Sequence, residues 1–219
     1  MKIVFIVGKR GGDYFAVKRA IEKGLLQNIE IVYIISNSSL SKAMNDYKII
    51  SDNFYCKQDN ESRVQFFDNV QDLLAKIEYD YIVLSGFDWL IPSKLVETNI
   101  NKIINSHHSL LPAHPGLFKK EKLVESDDKF LGATLHFVDN GVDTGIKLTQ
   151  AVFLNYGIEK FDLILKIYRF IQDCMIVQSL AELNNQEAEH REIYFNEILF
   201  NPSIERNILK CFERIYFGK

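Results

Sequence analysis

Three apolar runs constrain the fold more than any other feature of this chain. "KIVFIV" (2–7), "IEIVYIIS" (29–36) and "DYIVLSG" (80–86) are continuously hydrophobic, the pattern of strands buried on both faces of a parallel sheet. Parallel neighbours need a crossover. Between the first two runs lies "DYFAVKRAIEKGLL", where Phe15, Val17, Ala20, Ile21 and Leu25 recur at helical spacing. Asp13 is placed to cap that helix, and a right-handed β-α-β unit results. The expectation is an α/β, Rossmann-like fold: a mostly parallel sheet with helices on both faces.

The rest of the chain extends this plan. A second helix is expected near 38–47, a short extended piece at "NFYC", and a helix over about 62–77. "DYIVLSG" then leads through "FDWLIPSKLVE" to a further strand, "NKIINS". The segment "GATLHFVDNGVDTGIKLTQAVF" (132–153) alternates apolar and polar residues around a glycine-containing turn, which predicts two antiparallel strands at one edge of the sheet. A long amphipathic helix over 158–183 covers one face. Beyond it come "REIYF" and a helix over 203–216, with Ile204, Ile208 and Phe212 spaced by four. The expected organisation is one main domain, 1–185, with an appendage, 186–219, packed on it.

Charge and cysteine usage narrow the partners. With 26 basic against 29 acidic residues, the net charge is −3, which disfavours nucleic acid. The N-terminal apolar run, Ile3 to Val7, is too short for a signal-peptide core or a bilayer span. Cys56, Cys174 and Cys211 form no CxxC pair, so free thiols in a cytoplasmic protein are expected, without a membrane partner. A homodimer is left open.

The strand "NKIINS" delivers an unusual loop at its carboxyl end, "INSHHSLLPAHPG" (104–116). His107, His108 and His114 lie in it, and His136 follows, so four of the five histidines fall between 107 and 136. Ligands of open α/β sheets gather outside the carboxyl ends of the strands. In an extended segment Asn105 and His107, two residues apart, point to one side. An amide and an imidazolium are donors suited to an oxyanion forming on an attacked carbonyl. Asp143, in "DNGVDTG", is the natural third member, because a carboxylate beside His107 keeps that ring charged or correctly oriented. His136 sits inside an apolar strand, where a satisfied core histidine is the ordinary reading, although its place in the sequence puts it close to Asp143.

Together, "INSHHSLLPAHPG" and the later "GATLHFVDNGVDTG" resemble the signature of the folate-dependent formyltransferases, among them glycinamide ribonucleotide transformylase and the amino-sugar N-formyltransferases. The similarity runs from about 80 to 151, and more loosely over 1–45 and the long helix. The resemblance implies formyl transfer from 10-formyltetrahydrofolate to the primary amine of a small acceptor, with Asn105, His107 and Asp143 as the catalytic residues. It also implies a folate pocket lined by Phe87, Trp89, Leu90, Ile91 and Val96, closed by the backbone of 138–143, including Val138, Asp139 and Asp143. Pro112 shapes the loop, and the resemblance allows a cis bond before it. His108 stands where the family usually has proline, and neither it nor His114 carries a family role.

Two departures bear on the acceptor. The loop after the first strand reads "VGKRGGDYF"; Gly11 and Gly12 leave room for backbone approach to a ligand, whereas Asp13 brings a negative charge toward a phosphate. Lys9 and Arg10 compensate, so Lys9, Arg10, Gly11 and Gly12 are the candidate acceptor contacts. The long helix lacks the acidic, histidine-containing stretch of the purine enzyme, and no tRNA-binding barrel is expected in the residues after it. A nucleotide-linked amino sugar is therefore the first expectation for the acceptor, with glycinamide ribonucleotide next. Two other readings stay open. One is a formyltetrahydrofolate hydrolase using the same triad. The other is a metal-dependent hydrolase built on the histidines and Asp143, although no H-E-x-x-H pair is present and no metal site is expected.

Overall fold

The computed structural model describes residues 1–117, 120–188 and 190–218. Its core is one nine-stranded sheet. The three apolar runs form β1 (Lys2–Val7), β2 (Glu30–Ser36) and β4 (Tyr81–Ser85), joined by β3 (Phe54–Cys56) and β5 (Ile103–His107). These five run parallel in the order β3-β2-β1-β4-β5. The order reverses direction between β1 and β4, which opens a crevice outside their carboxyl ends.

The helices on this half follow the sequence pattern, with shifted starts. The first crossover helix, α1, spans Gly12–Glu22, so Asp13 lies inside its first turn and is not its cap. The capping position belongs to Gly11, which adopts φ 66 and makes no side-chain cap. Its left-handed backbone suits glycine, and a Cβ there would lie 2.4 Å from that of Ala43. Helix α2 (Lys42–Tyr47) is capped by Ser41, and α3 (Arg63–Leu74) by a Ser62–Gln65 capping box. A short α4 (Ser93–Glu97) precedes β5.

The expected hairpin is present as β6 (Phe130–Phe137) and β7 (Lys147–Leu154), paired antiparallel to each other and to β5. It does not end the sheet. The tail contributes β8 (Arg191–Phe195) and β9 (Ile198–Glu205), and β9 pairs with β7 while β8 forms the outer edge. A one-turn helix, α5 (Lys120–Val124), lies between β5 and β6. After a 3₁₀ turn (Ile158–Lys160), the long helix α6 runs Phe161–Leu183, and α7 (Arg206–Phe217) packs against it.

Two cores follow from the layers. The larger gathers α1, α6 and α7 on one face of the sheet, with Tyr14, Tyr168, Phe170, Ile176 and Phe212 fully buried. The smaller gathers α3 and α4 on the other, around Phe66, Val70 and Leu95. The carboxyl ends of β1, β4 and β5 emerge between the two, and Gly8 and Gly86 let β1 and β4 leave side by side: a Cβ on Gly8 would lie 2.0 Å from the Gly86 carbonyl oxygen.

Candidate active site

A cavity of about 1070 Å³ opens at those strand ends and brings most of the expected residues together. Asn105, His107, Asp143 and His136 all line it. The alternation along β5 puts Asn105 opposite His136 and His107 opposite Thr134 on β6, so Asn105, His107 and His136 share one face.

Asp143 enters from the turn between β6 and β7 with φ 55, a left-handed conformation that aspartate tolerates better than most residues. Its Oδ2 lies 3.3 Å from His107 Nδ1 and accepts the Gly116 N–H at 2.7 Å. Its Oδ1 lies 3.5 Å from His136 Nε2. The Asn105 Nδ2 lies 3.4 Å from the same His136 nitrogen. The four side chains thus lie in series within 3.5 Å of one another, Asn105 beside His136, His136 beside Asp143, and Asp143 beside His107.

Tautomers follow from the partners. His136 Nδ1 sits 2.9 Å from the Phe137 carbonyl oxygen and must be the protonated nitrogen, which leaves Nε2 as an acceptor for the Asn105 amide. Burial holds His136 below its ordinary pKa, against the upward pulls of that carbonyl and of Asp143; the ring is neutral. His107 Nε2 lies 2.8 Å from the His114 carbonyl oxygen and donates to it. Its Nδ1 is therefore the nitrogen that faces Asp143.

Hydroxyl groups hold the histidine loop. Thr134 Oγ1 accepts the Leu111 N–H and donates to the Ser109 carbonyl, while Ser109 Oγ donates to the Ala113 carbonyl at 2.6 Å. The Leu111–Pro112 bond is cis. His114, with φ 51, pairs with Asp128 at 2.6 Å on the surface, and the His108 ring packs beside Tyr168.

One wall of the cavity is apolar. Phe87, Trp89, Leu90, Ile91 and Val138 line it, with Trp89 set edge-on to Phe66 and Phe87. Arg63 lies over the Trp89 ring and donates to the Leu90 carbonyl at 2.7 Å. Asp139 to Asp143 form the facing turn. Val96 is elsewhere: it is buried in the smaller core, on the inner side of α4. Gly11 does not line the cavity either, its open side being filled by Ala43.

The other wall belongs to α1 and α6. Lys9, Arg10, Gly12 and Asp13 line it, together with Arg169 and Gln172, two residues that sequence reasoning passed over. Asp13 is only 7% exposed, and its carboxylate accepts the Ser85 hydroxyl at 2.9 Å. The available signal was the polar trio Arg169, Gln172 and Asp173 among the apolar residues 167–177 of the long helix. Among the described residues, no three His, Cys, Asp or Glu side chains are arranged to hold a metal ion, and no helix is long and apolar enough to cross a membrane.

Fold and site together define an open α/β protein that carries an Asn-His-Asp constellation in the crevice of its sheet. The formyl transferase family model matches residues 1–154, and the chain belongs to that family. It is 30% identical over 160 residues to the chloroplastic phosphoribosylglycinamide formyltransferase of Vigna unguiculata, covering 69% of this chain and 50% of that protein. It is 31% identical over 123 residues to the formyltetrahydrofolate deformylase of Bacillus subtilis, covering 56% of this chain and 41% of the relative. The chain thus spans about half the length of these curated relatives or less. The fold is also that of the phosphoribosylglycinamide formyltransferase structure from Bacillus halodurans, with a TM-score of 0.75 and 24% identity over 84% of this chain and 95% of the other.

Proposed function

We propose that this protein transfers the formyl group of 10-formyltetrahydrofolate to the primary amine of phosphoribosylglycinamide. The observation that carries the reading is the clustering of Asn105, His136, Asp143 and His107 in a cavity with one apolar wall and one polar wall that holds Lys9 and Arg10. The residues fit the donor: the flat heterocycle takes the apolar side, between Phe87, Trp89, Leu90 and Ile91 and the turn at Val138, Asp139 and Asp143. Such a site needs apolar walls and a few placed polar groups.

In the reaction the acceptor nitrogen attacks the formyl carbon, and the carbonyl oxygen takes up negative charge. Asn105 offers its second amide hydrogen to that oxygen, the first being held by His136. His107, with Nε2 donating to the His114 carbonyl and Nδ1 facing Asp143, fixes that carboxylate beside the reacting atoms. Asp143 takes the proton lost by the amine. The bond between the formyl carbon and the donor's nitrogen then breaks, and that nitrogen leaves with a proton returned from the site.

The choice of acceptor corrects the sequence-based ranking. A nucleotide-linked amino sugar comes first from the sequence, yet the cowpea and Bacillus halodurans proteins are named for phosphoribosylglycinamide, and this acceptor fits better. The objection raised by Asp13 also weakens, since its carboxylate is tied back to Ser85. Likeness to a deformylase keeps water as the competing acceptor. Incubation with 10-formyltetrahydrofolate and either phosphoribosylglycinamide, a nucleotide-linked amino sugar or no amine separates the three. The reading requires formylation of phosphoribosylglycinamide; tetrahydrofolate release at the same rate without any amine refutes it.

A further inference from the structure

The end of the histidine loop supplies one backbone group to His107 and another to Asp143. The His114 carbonyl oxygen accepts from His107 Nε2 at 2.8 Å, and the Gly116 N–H donates to Asp143 Oδ2 at 2.7 Å. Segment 114–116 thus touches both side chains assigned to proton handling. Where it lies decides where those two side chains point.

Backbone preference does not hold the segment there. His114 takes φ 51, uncommon for a residue with a side chain and kept only where surrounding contacts impose it. From inside, its carbonyl also accepts the Ser109 hydroxyl at 3.2 Å. From outside, its ring Nε2 lies 2.6 Å from Asp128 Oδ2. Asp128 is a fixed anchor. The Ser126 hydroxyl donates to the same carboxylate oxygen at 2.9 Å, and Asn155 Nδ2, just after β7, donates at 3.0 Å to the carbonyls of both Asp128 and Val124. The Asp128 carboxyl is held below the usual carboxylate range, first by the His114 ring and then by the Ser126 hydroxyl.

We propose that His114 and Asp128 are positioning residues: the His114 ring, tied to Asp128, holds residues 114–116 where their carbonyl and N–H groups orient His107 and Asp143. The assignment rests on the formyl-transfer reading. Neither His114 nor Asp128 lines the cavity, so both act only through the two side chains that do.

The test compares the wild type with four variants, each assayed well below its thermal midpoint. His114→Gly suits the positive φ but has no ring; Asp128→Ala removes the anchor; a third protein carries both changes. The fourth, His114→Gln, keeps a side-chain N–H that can reach Asp128 as the ring does. Exposed pairs contribute modestly, so each single loss should lower kcat for formyl transfer about fivefold, with the KM of folate and of acceptor within about twofold. The double variant should be no slower than either single one, because the two side chains act as a unit. His114→Gln should keep most of the wild-type rate. A second arm needs no turnover: exchange of the His107 Nε2 proton with water, read in ¹H–¹⁵N spectra, should quicken by a similar factor in His114→Gly and Asp128→Ala but not in His114→Gln. Unchanged kcat or unchanged exchange in the two single variants overturns the assignment. So do multiplicative losses in the double variant, or a His114→Gln rate as low as that of His114→Gly. Faster exchange in the variants of a protein whose wild type formylates no amine would instead refute the proposed reaction while leaving His114 as the tether of His107.

Discussion

Asn105 and His136 face each other across β5 and β6 with Nδ2 and Nε2 3.4 Å apart, so the amide assigned to the oxyanion in the proposed mechanism is oriented by His136. His136→Phe should remove that orientation while retaining a buried ring, and lower kcat by about 10- to 100-fold with folate affinity nearly unchanged. Steady-state kinetics with a separate folate titration checks this; unchanged kcat would free Asn105 from its dependence on His136.

The same histidine gives a pH signature in stability. Its folded-state pKa lies below the ordinary 6.5 because it is buried, so the unfolded chain binds the extra proton first. His136 therefore stabilises the fold fully above about 6.5 and loses that contribution as pH falls through the folded-state value. Denaturant titrations of wild type and His136→Phe should diverge least below pH 5 and most above pH 7.

In the proposed mechanism, replacing Asn105 by Ala removes an oxyanion donor, and such losses cost roughly 10²- to 10³-fold in kcat. His107→Ala should cost at least as much. The double variant should fall well short of the product of the two effects, because residues acting as a unit are not additive. Fully multiplicative losses would mean that the two side chains do not serve one step.

Asp173 predicts the opposite pH trend. Burial lifts its carboxyl from an ordinary 3.8 to about 7, with Asp13 adding to the rise and Tyr216, Arg169 and Arg19 opposing it. The folded state binds that proton more tightly, so this contribution is full below 3.8 and is lost as pH rises through 7. Asp173→Asn keeps an oxygen for the Tyr216 hydroxyl and should raise the thermal midpoint at pH 8 more than at pH 5. An equal shift at both values would show that Asp173 ionises as freely in the folded chain as in the unfolded one.

How far the sequence discloses this depends on the element. The parallel strands are legible because burial on both faces leaves continuous apolar runs, and β5 is legible because it ends at the histidines. The β8–β9 hairpin is not: its turn residues Asn196 and Glu197 both take positive φ without the glycine that marks such turns, and β9 runs through Pro202, a residue that argues against a strand. Asn105, His107 and Asp143 follow from a motif that fixes their spacing. His136 reads first as core because it is 1% exposed, and its expected closeness to Asp143 is met at 3.5 Å. Val96 sits on the inner side of a one-turn helix, where apolar spacing cannot separate a pocket wall from the core behind it.

The central claim is tested most directly by following the formyl carbon. With ¹³C-formyl 10-formyltetrahydrofolate and phosphoribosylglycinamide, the account predicts that the wild-type protein moves the label into the formamide of the acceptor, and that Asn105→Ala does so at a rate lower by roughly 10²- to 10³-fold. Label appearing as free formate, or remaining on the folate in the presence of the amine, would contradict it.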